Sequence, residues 1–249
     1  MIDLGFRFPA LLPWRALVGA RVLVVAPHAD DEVISAGGLL AQAAANGVAV
    51  RVLHLTDGSA GDPTGSYGDI VAVRRAESDA ALAALGLEPA LEFGFGDGTL
   101  GARVGELAER LQAELRSFEP DTAIALSPFE AHADHRAAAE ALRRALPASP
   151  AVRRVLWAGV NSPVPANLLV DITTALAQKD AAMACYASQI ATNDIRTKVR
   201  ALDASRTVNV DLPEVRACEA FLRLDAGRSD ELFALVERLE RLTFEDACS

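Results

Sequence analysis

Histidine is scarce in this chain, with 4 among 249 residues, and so are cysteine (3), methionine, tryptophan and tyrosine (2 each). The cysteines stand at 185, 218 and 248 with no CxxC spacing. That scatter excludes a disulfide framework and a thiolate metal site, and it suits a reducing, cytoplasmic setting. No apolar run approaches the ~20 residues that a membrane helix requires. Pro9, Pro13, Trp14 and Arg15 interrupt the amino-terminal stretch, so neither a signal peptide nor membrane insertion is expected. Basic residues are also short: Lys+Arg 24 against Asp+Glu 34 leaves −10, a poor match to nucleic acid or an anionic membrane. What remains is an ordinary globular mixture, 51% hydrophobic and 23% charged, long enough to bury a substantial core.

Short apolar runs alternate with amphipathic ones. Arg21–Ala26, Val48–Leu55, Leu91–Phe95 and Thr122–Leu126 read as strands, the first continuously apolar, as suits a strand covered on both faces. Between and after them, segments 30–46, 71–85, 104–118 and 135–146 read as helices, the first two closed by Gly47 and Gly86. Strand–helix alternation predicts an α/β fold, a Rossmann-like, mostly parallel sheet flanked by helices. The later part is less regular, with strands expected at 152–157 and 168–171 and helices at 173–189, 193–205 and 231–242. No linker divides the chain. A single domain is expected, with its core at about 20–160 and a carboxy-terminal elaboration over about 161–249.

Two segments concentrate the chemistry. One is Pro27-His28-Ala29-Asp30-Asp31-Glu32, after the first strand, and the other is His132-Ala133-Asp134-His135, after the fourth. Both lie at carboxyl ends of strands, where open α/β sheets bind ligands, and together they hold three of the four histidines. His28 and Asp31, three apart at a helix start, can face one side. With a second imidazole they would form a three-ligand divalent site that leaves a position open for water, the signature of a catalytic rather than a structural metal. The plainer alternative is a hydrogen-bonded loop histidine with acids that complement a helix dipole.

In these motifs the sequence resembles the PIG-L/LmbE-like metal-dependent deacetylases, which hydrolyse the acetamide of N-acetylglucosamine-containing substrates. Arg74 and Glu77, Asp97-Gly98, Lys179 and Tyr186–Gln189 extend the resemblance in order along the chain. It implies that His28, Asp31 and His135 bind the metal, that Asp30 is the general base, and that His132 stabilises the oxyanion or protonates the leaving amine. It suggests that Asp134 fixes the tautomer of His132, although an acid at a helix start serves the dipole equally well. Arg74 and Asp97 match positions that contact the sugar. Zinc is the expected metal, with Fe(II) or another divalent ion also suited to two histidines and a carboxylate. The expected partner is a small N-acyl amino sugar or glycoconjugate, and a homo-oligomer is left open. Hydrolysis of another amide or an ester, or a non-catalytic sugar- or metal-binding module, are the rival readings.

Other features carry less. Glu32 reads as a helix-start or supporting acid rather than a ligand, and His54 as a packed strand residue. Lys179 reads as a helix-surface or substrate-rim residue. Glu130 stands where some members of that family carry a tyrosine that assists the oxyanion. The loop at 56–69, rich in glycine and polar residues, reads either as a lid or as a surface connection. No G-x-S-x-G motif or histidine-adjacent cysteine offers a nucleophile.

Overall fold

The computed structural model describes residues 8–242. In it one eight-stranded sheet runs in the order β1-β7-β8-β6-β5-β2-β3-β4. These strands are β1 (Ala10–Leu12), β2 (Arg21–Ala26), β3 (Ala49–Thr56), β4 (Leu91–Phe95), β5 (Thr122–Leu126), β6 (Arg154–Ala158), β7 (Leu168–Asp171) and β8 (Cys218–Asp225). All pairings are parallel except those of β8, which runs antiparallel to both β6 and β7. The parallel core reverses direction of growth at β2, which pairs with β3 on one side and β5 on the other. That reversal opens a crevice at the carboxyl ends of β2 and β5, where ligands bind in such sheets.

Alternation along the strands sorts side chains between two cores. Val22 and Val24 of β2, with Ile124 and Leu126 of β5, join a cluster under α1 (Asp31–Ala44), α2 (Ile70–Ala84) and α5 (Leu176–Ala184). Leu23, Val25, Ala123 and Ala125 face the opposite cluster, with α3 (Val104–Phe118) and α4 (Ala133–Ala145). Such double coverage explains why these strands read as unbroken apolar runs. The helices α6 (Ala187–Ile190), α7 (Ile195–Ser205) and α8 (Ser229–Glu240) complete the molecule.

The predicted core elements are all present, with ends displaced by a residue or two. The later region differs more. The helix expected over 173–189 is interrupted: α5 ends at Ala184, and α6 begins at Ala187 beyond the fully buried Tyr186. Strands β1 and β8 were not expected. β1 is a three-residue edge strand, and β8 carries Glu219 and Arg223 within a sequence too charged to read as sheet.

Lys179 corrects the surface expectation. It is buried, and its Nζ reaches Asp203 at 2.7 Å, Glu219 at 2.8 Å and the Ile34 carbonyl at 3.1 Å. Glu219 in turn accepts from the Gly38 and Leu39 amides of α1 at 2.7 and 2.8 Å. A buried lysine persists only when opposite charges and acceptors surround it, as they do here. The cluster ties β8 and α5 to the middle of α1, the helix that opens with Asp31. Close approach is possible because position 38 lacks a side chain: a Cβ there would lie 2.6 Å from Ile172 Cβ. Gly38→Ala is therefore expected to destabilise the fold by roughly 1–3 kcal/mol through overpacking, read as a lowered urea unfolding midpoint with an unchanged slope.

Candidate metal centre

Chain order separates the two histidine segments by a hundred residues, but β2 and β5 are neighbours, so their carboxyl ends deliver both to one crevice. His28 is the second residue after β2, and its backbone N–H donates to Asp31 Oδ2 at 2.9 Å. Asp31 is the first residue of α1, while His132 caps α4 and His135 lies in its first turn. His28 Nδ1 lies 3.2 Å from Asp31 Oδ2 and 3.2 Å from His135 Nε2. His135 Nε2 lies 3.3 Å from the same Asp31 oxygen. This near-equilateral triangle of two ring nitrogens and one carboxylate oxygen matches a face of a tetrahedron with metal–ligand bonds of 2.0–2.1 Å, whose edges are about 3.3–3.4 Å. All three residues are buried. The donor set fits a divalent cation.

Acidic groups surround the triangle. His28 Nε2 is 3.2 Å from Asp97 Oδ1 and 3.6 Å from Asp134 Oδ2, contacts that are close but not aligned as hydrogen bonds. Burial alone would lower the His28 pKa, yet Asp134, Asp31 and Asp97 together raise it to about 12. His135 follows the same pattern: burial opposes protonation, but Asp31 and Glu130 raise it to about 9. The same imidazoles hold Asp31 well below the usual carboxylate range despite its burial. The carboxylates around these two imidazoles favour positive charge in the pocket.

Glu130 has a role that sequence reading missed. It is buried, and its Oε2 lies 3.0 Å from His135 Nδ1. Backbone amides of Val160, Asn161 and Ser162 donate to the same carboxylate at 2.6, 3.0 and 3.3 Å. A carboxylate behind a ligating imidazole fixes its tautomer and orientation. The signal was an acid in an apolar stretch five residues before His135, visible in sequence but without a partner.

Asp134 departs from expectation. Its carboxylate accepts from the Gly98 and Leu100 amides at 2.7 and 3.0 Å and faces His28, not His132. Toward His132 the relation is reversed: the Asp134 backbone N–H donates to His132 Nδ1 at 3.2 Å. An accepting Nδ1 puts the proton of a neutral ring on Nε2. Burial and the positive charge of His28 and His135 lower the His132 pKa, which favours that neutral form. The three histidine rings lie with centroids 4.8–5.2 Å apart.

Asp30 has φ 139°, a conformation that non-glycine residues rarely adopt. Such backbone strain, worth roughly 1–3 kcal/mol, tends to persist where function requires the geometry. Burial and the adjacent Asp31 carboxylate raise the Asp30 pKa to about 7, opposed by Arg74. The Arg74 guanidinium sits 3.5 Å from Asp30 Oδ2 and donates to the Ala29 carbonyl at 3.0 Å and, more weakly, to the Gly58 carbonyl at 3.4 Å. It is thus a buried brace as much as a wall. Asp97, whose burial is outweighed by His28 so that its pKa falls, receives the Ala60 amide at 3.3 Å.

Glu32 lies behind the site. It accepts from Tyr186 Oη at 3.0 Å and sits 3.3 Å from the fully buried His54, which also bonds Glu92 at 3.1 Å. His28, Asp30, Asp31, Arg74, Asp97, His132 and His135 all line one cavity of about 580 Å³. Ala60 and Gly61 bring the 56–69 loop into its wall, and Gln189 Nε2 donates to the Gly61 carbonyl at 3.3 Å.

Comparison with known proteins bears on what such a site belongs to. The PIG-L family model, described as GlcNAc-PI de-N-acetylase, matches residues 23–146, the stretch that contains both histidine segments. The chain belongs to the PIG-L family. It is 33% identical over 121 residues to a diacetylchitobiose deacetylase of Thermococcus kodakarensis, covering 47% of this chain and 45% of that protein. It is 32% identical over 141 residues to a probable N-acetyl-α-D-glucosaminyl L-malate deacetylase of Bacillus cereus, covering 54% and 64%. The chain thus spans between about half and two thirds of these relatives. Among solved structures, a conserved protein of Thermus thermophilus superposes with TM-score 0.69 at 30% identity, covering 81% of this chain and 93% of that one. An N,N'-diacetylchitobiose deacetylase of Pyrococcus horikoshii superposes with TM-score 0.73 at 24% identity, covering 84% and 85%, a likeness of fold.

Removing the carboxylate behind His135 tests the geometry. Glu130→Ala is expected to weaken zinc affinity about 10–100-fold, measured by competition with a chromophoric chelator. His132→Ala, which leaves the triangle intact, is expected to change it less than about threefold.

Proposed function

We propose that this chain is a divalent-cation-dependent hydrolase that removes the acetyl group from an N-acetylated amino sugar or glycoconjugate. One observation carries the reading: the triangle of His28 Nδ1, Asp31 Oδ2 and His135 Nε2 opens into the cavity that Asp30 and His132 also line. Support comes from the family membership and from relatives named as deacetylases of N-acetylglucosamine compounds. We take His28, Asp31 and His135 as the ligands, with zinc the best match and Fe(II) also compatible with two imidazoles and one carboxylate.

An amide resists hydrolysis because its carbonyl is a weak electrophile and its amine a poor leaving group. A divalent cation held by His28, Asp31 and His135 would supply Lewis acidity toward the carbonyl oxygen and water. Asp30, with a pKa near 7, is suited to take a proton from the attacking water and return it to the departing amine. His132 offers its Nε2–H to the carbonyl oxygen where negative charge develops, a neutral donor already oriented by the Asp134 amide. Glu130 holds His135 from behind, and Asp134 faces His28 at 3.6 Å. We assign Arg74 and Asp97 to the sugar-facing wall, with Arg74 also restraining Asp30.

No described helix is long and apolar enough to cross a membrane, and the −10 charge disfavours nucleic acid as a partner. A small-molecule substrate follows from this reading, and we propose a cytoplasmic setting from the scattered cysteines.

Asp30→Asn keeps the side-chain shape while removing the carboxylate. It is expected to retain full metal content while losing about 10²–10⁴ in kcat for acetate release, across a panel of N-acetylglucosamine derivatives. His135→Ala is expected to lose metal itself, measured by elemental analysis. Unimpaired turnover in Asp30→Asn would remove Asp30 from the mechanism.

A further inference from the structure

A second cavity of about 500 Å³ adjoins the metal cavity and shares Val160, Asn161 and Leu202 with it. Beyond that common wall its lining turns apolar, with Phe8, Val164, Leu169, Val208 and Ala220. Among the described residues Arg206 is its one charged lining residue, and Asp203 Oδ1 accepts from Arg206 Nη1 at 2.8 Å. The cavity therefore offers no uncommitted charge to a polar ligand.

Exposure singles out the same place. Phe8 is 76% exposed, Val208 81% and Leu202 39%, so three of the nine exposed large hydrophobic residues among those described line this one cavity. Isolated apolar side chains on a surface need no explanation, but a concave cluster beside an active site does. The common wall is also built rigidly. The segment from Gly159 folds back so tightly that a Cβ on Gly159 would lie 2.2 Å from the Ser162 carbonyl oxygen. Its next three amides donate to Glu130, whose carboxylate also holds His135. One side chain thus fixes the distance from the metal triangle to the apolar cavity.

We propose that this cavity is the subsite for an apolar aglycone, so that the substrate is an N-acetylated amino sugar joined to an alkyl, acyl or aryl group rather than a free sugar or an all-polar oligosaccharide. The proposal rests on the deacetylase reading. Continuity through the shared wall decides the occupant, because a group attached to a sugar in the metal cavity passes directly into the apolar one.

The test compares acetate release from the methyl and octyl glycosides of N-acetylglucosamine by the metal-loaded full chain. The octyl glycoside is expected to have at least about tenfold higher kcat/KM, mainly through KM, since burying two or three methylenes suffices for that gain. Val208→Asp is expected to bring the octyl-to-methyl ratio to within about twofold of one. Equal kcat/KM for the two glycosides, or a ratio untouched by Val208→Asp, overturns the subsite while leaving the deacetylase reading in place. A changed oligomeric state in Val208→Asp with an unchanged ratio assigns the patch to a second copy of the chain instead. If neither glycoside is cleaved, the deacetylase reading fails. The subsite is then read separately by calorimetry with the octyl glycoside of glucosamine, which has no amide to cleave. Heat of binding that Val208→Asp abolishes supports the subsite, and no binding to the parent chain refutes it.

Discussion

The structure depends on the parallel pairing of β2 with β5. Each strand ends in a histidine-bearing turn, and their adjacency in the sheet brings His28 Nδ1 to 3.2 Å from His135 Nε2. Two imidazole nitrogens so close to each other and to one carboxylate oxygen bring three acceptor lone pairs toward one point. A ring N–H or a cation between them resolves that conflict.

The surrounding elements act on this triangle from behind. Asp134 is held by the amides of Gly98 and Leu100, after β4, and faces His28. Glu130 is held by the amides after β6 and faces His135. The Lys179–Glu219–Asp203 cluster anchors the middle of α1, whose first residue is Asp31. Elements after β4 and β6, and β8 itself, therefore each contribute to the position of one corner of the triangle. Buried charges in such number are costly unless every one is partnered. Their partners here include both backbone amides and opposite charges.

Much of this could be read from sequence because the signal was local. The core strands are apolar on both faces, the helices amphipathic, and the histidines so few that two clusters at strand ends drew notice. What escaped depended on distant partners. Glu219 made β8 unrecognisable as a strand until Lys179, forty residues earlier, was seen to neutralise it. Glu130 was legible only as a departure from a family pattern, because the amides of 160–162 that hold it carry no side-chain signature. Asp134 was paired with His132 on the family resemblance, whereas the fold turns its carboxylate to His28. The fold itself does not decide the chemistry; the residues set on it do.

X-ray absorption spectroscopy of the zinc-loaded protein tests the central claim most directly. The account predicts two imidazole nitrogens, with the remaining donors oxygen, all at about 2.0–2.1 Å. A shell of three imidazoles would place His132 in the ligand set, and a shell without imidazole would place the ion elsewhere; either contradicts the assignment of His28, Asp31 and His135.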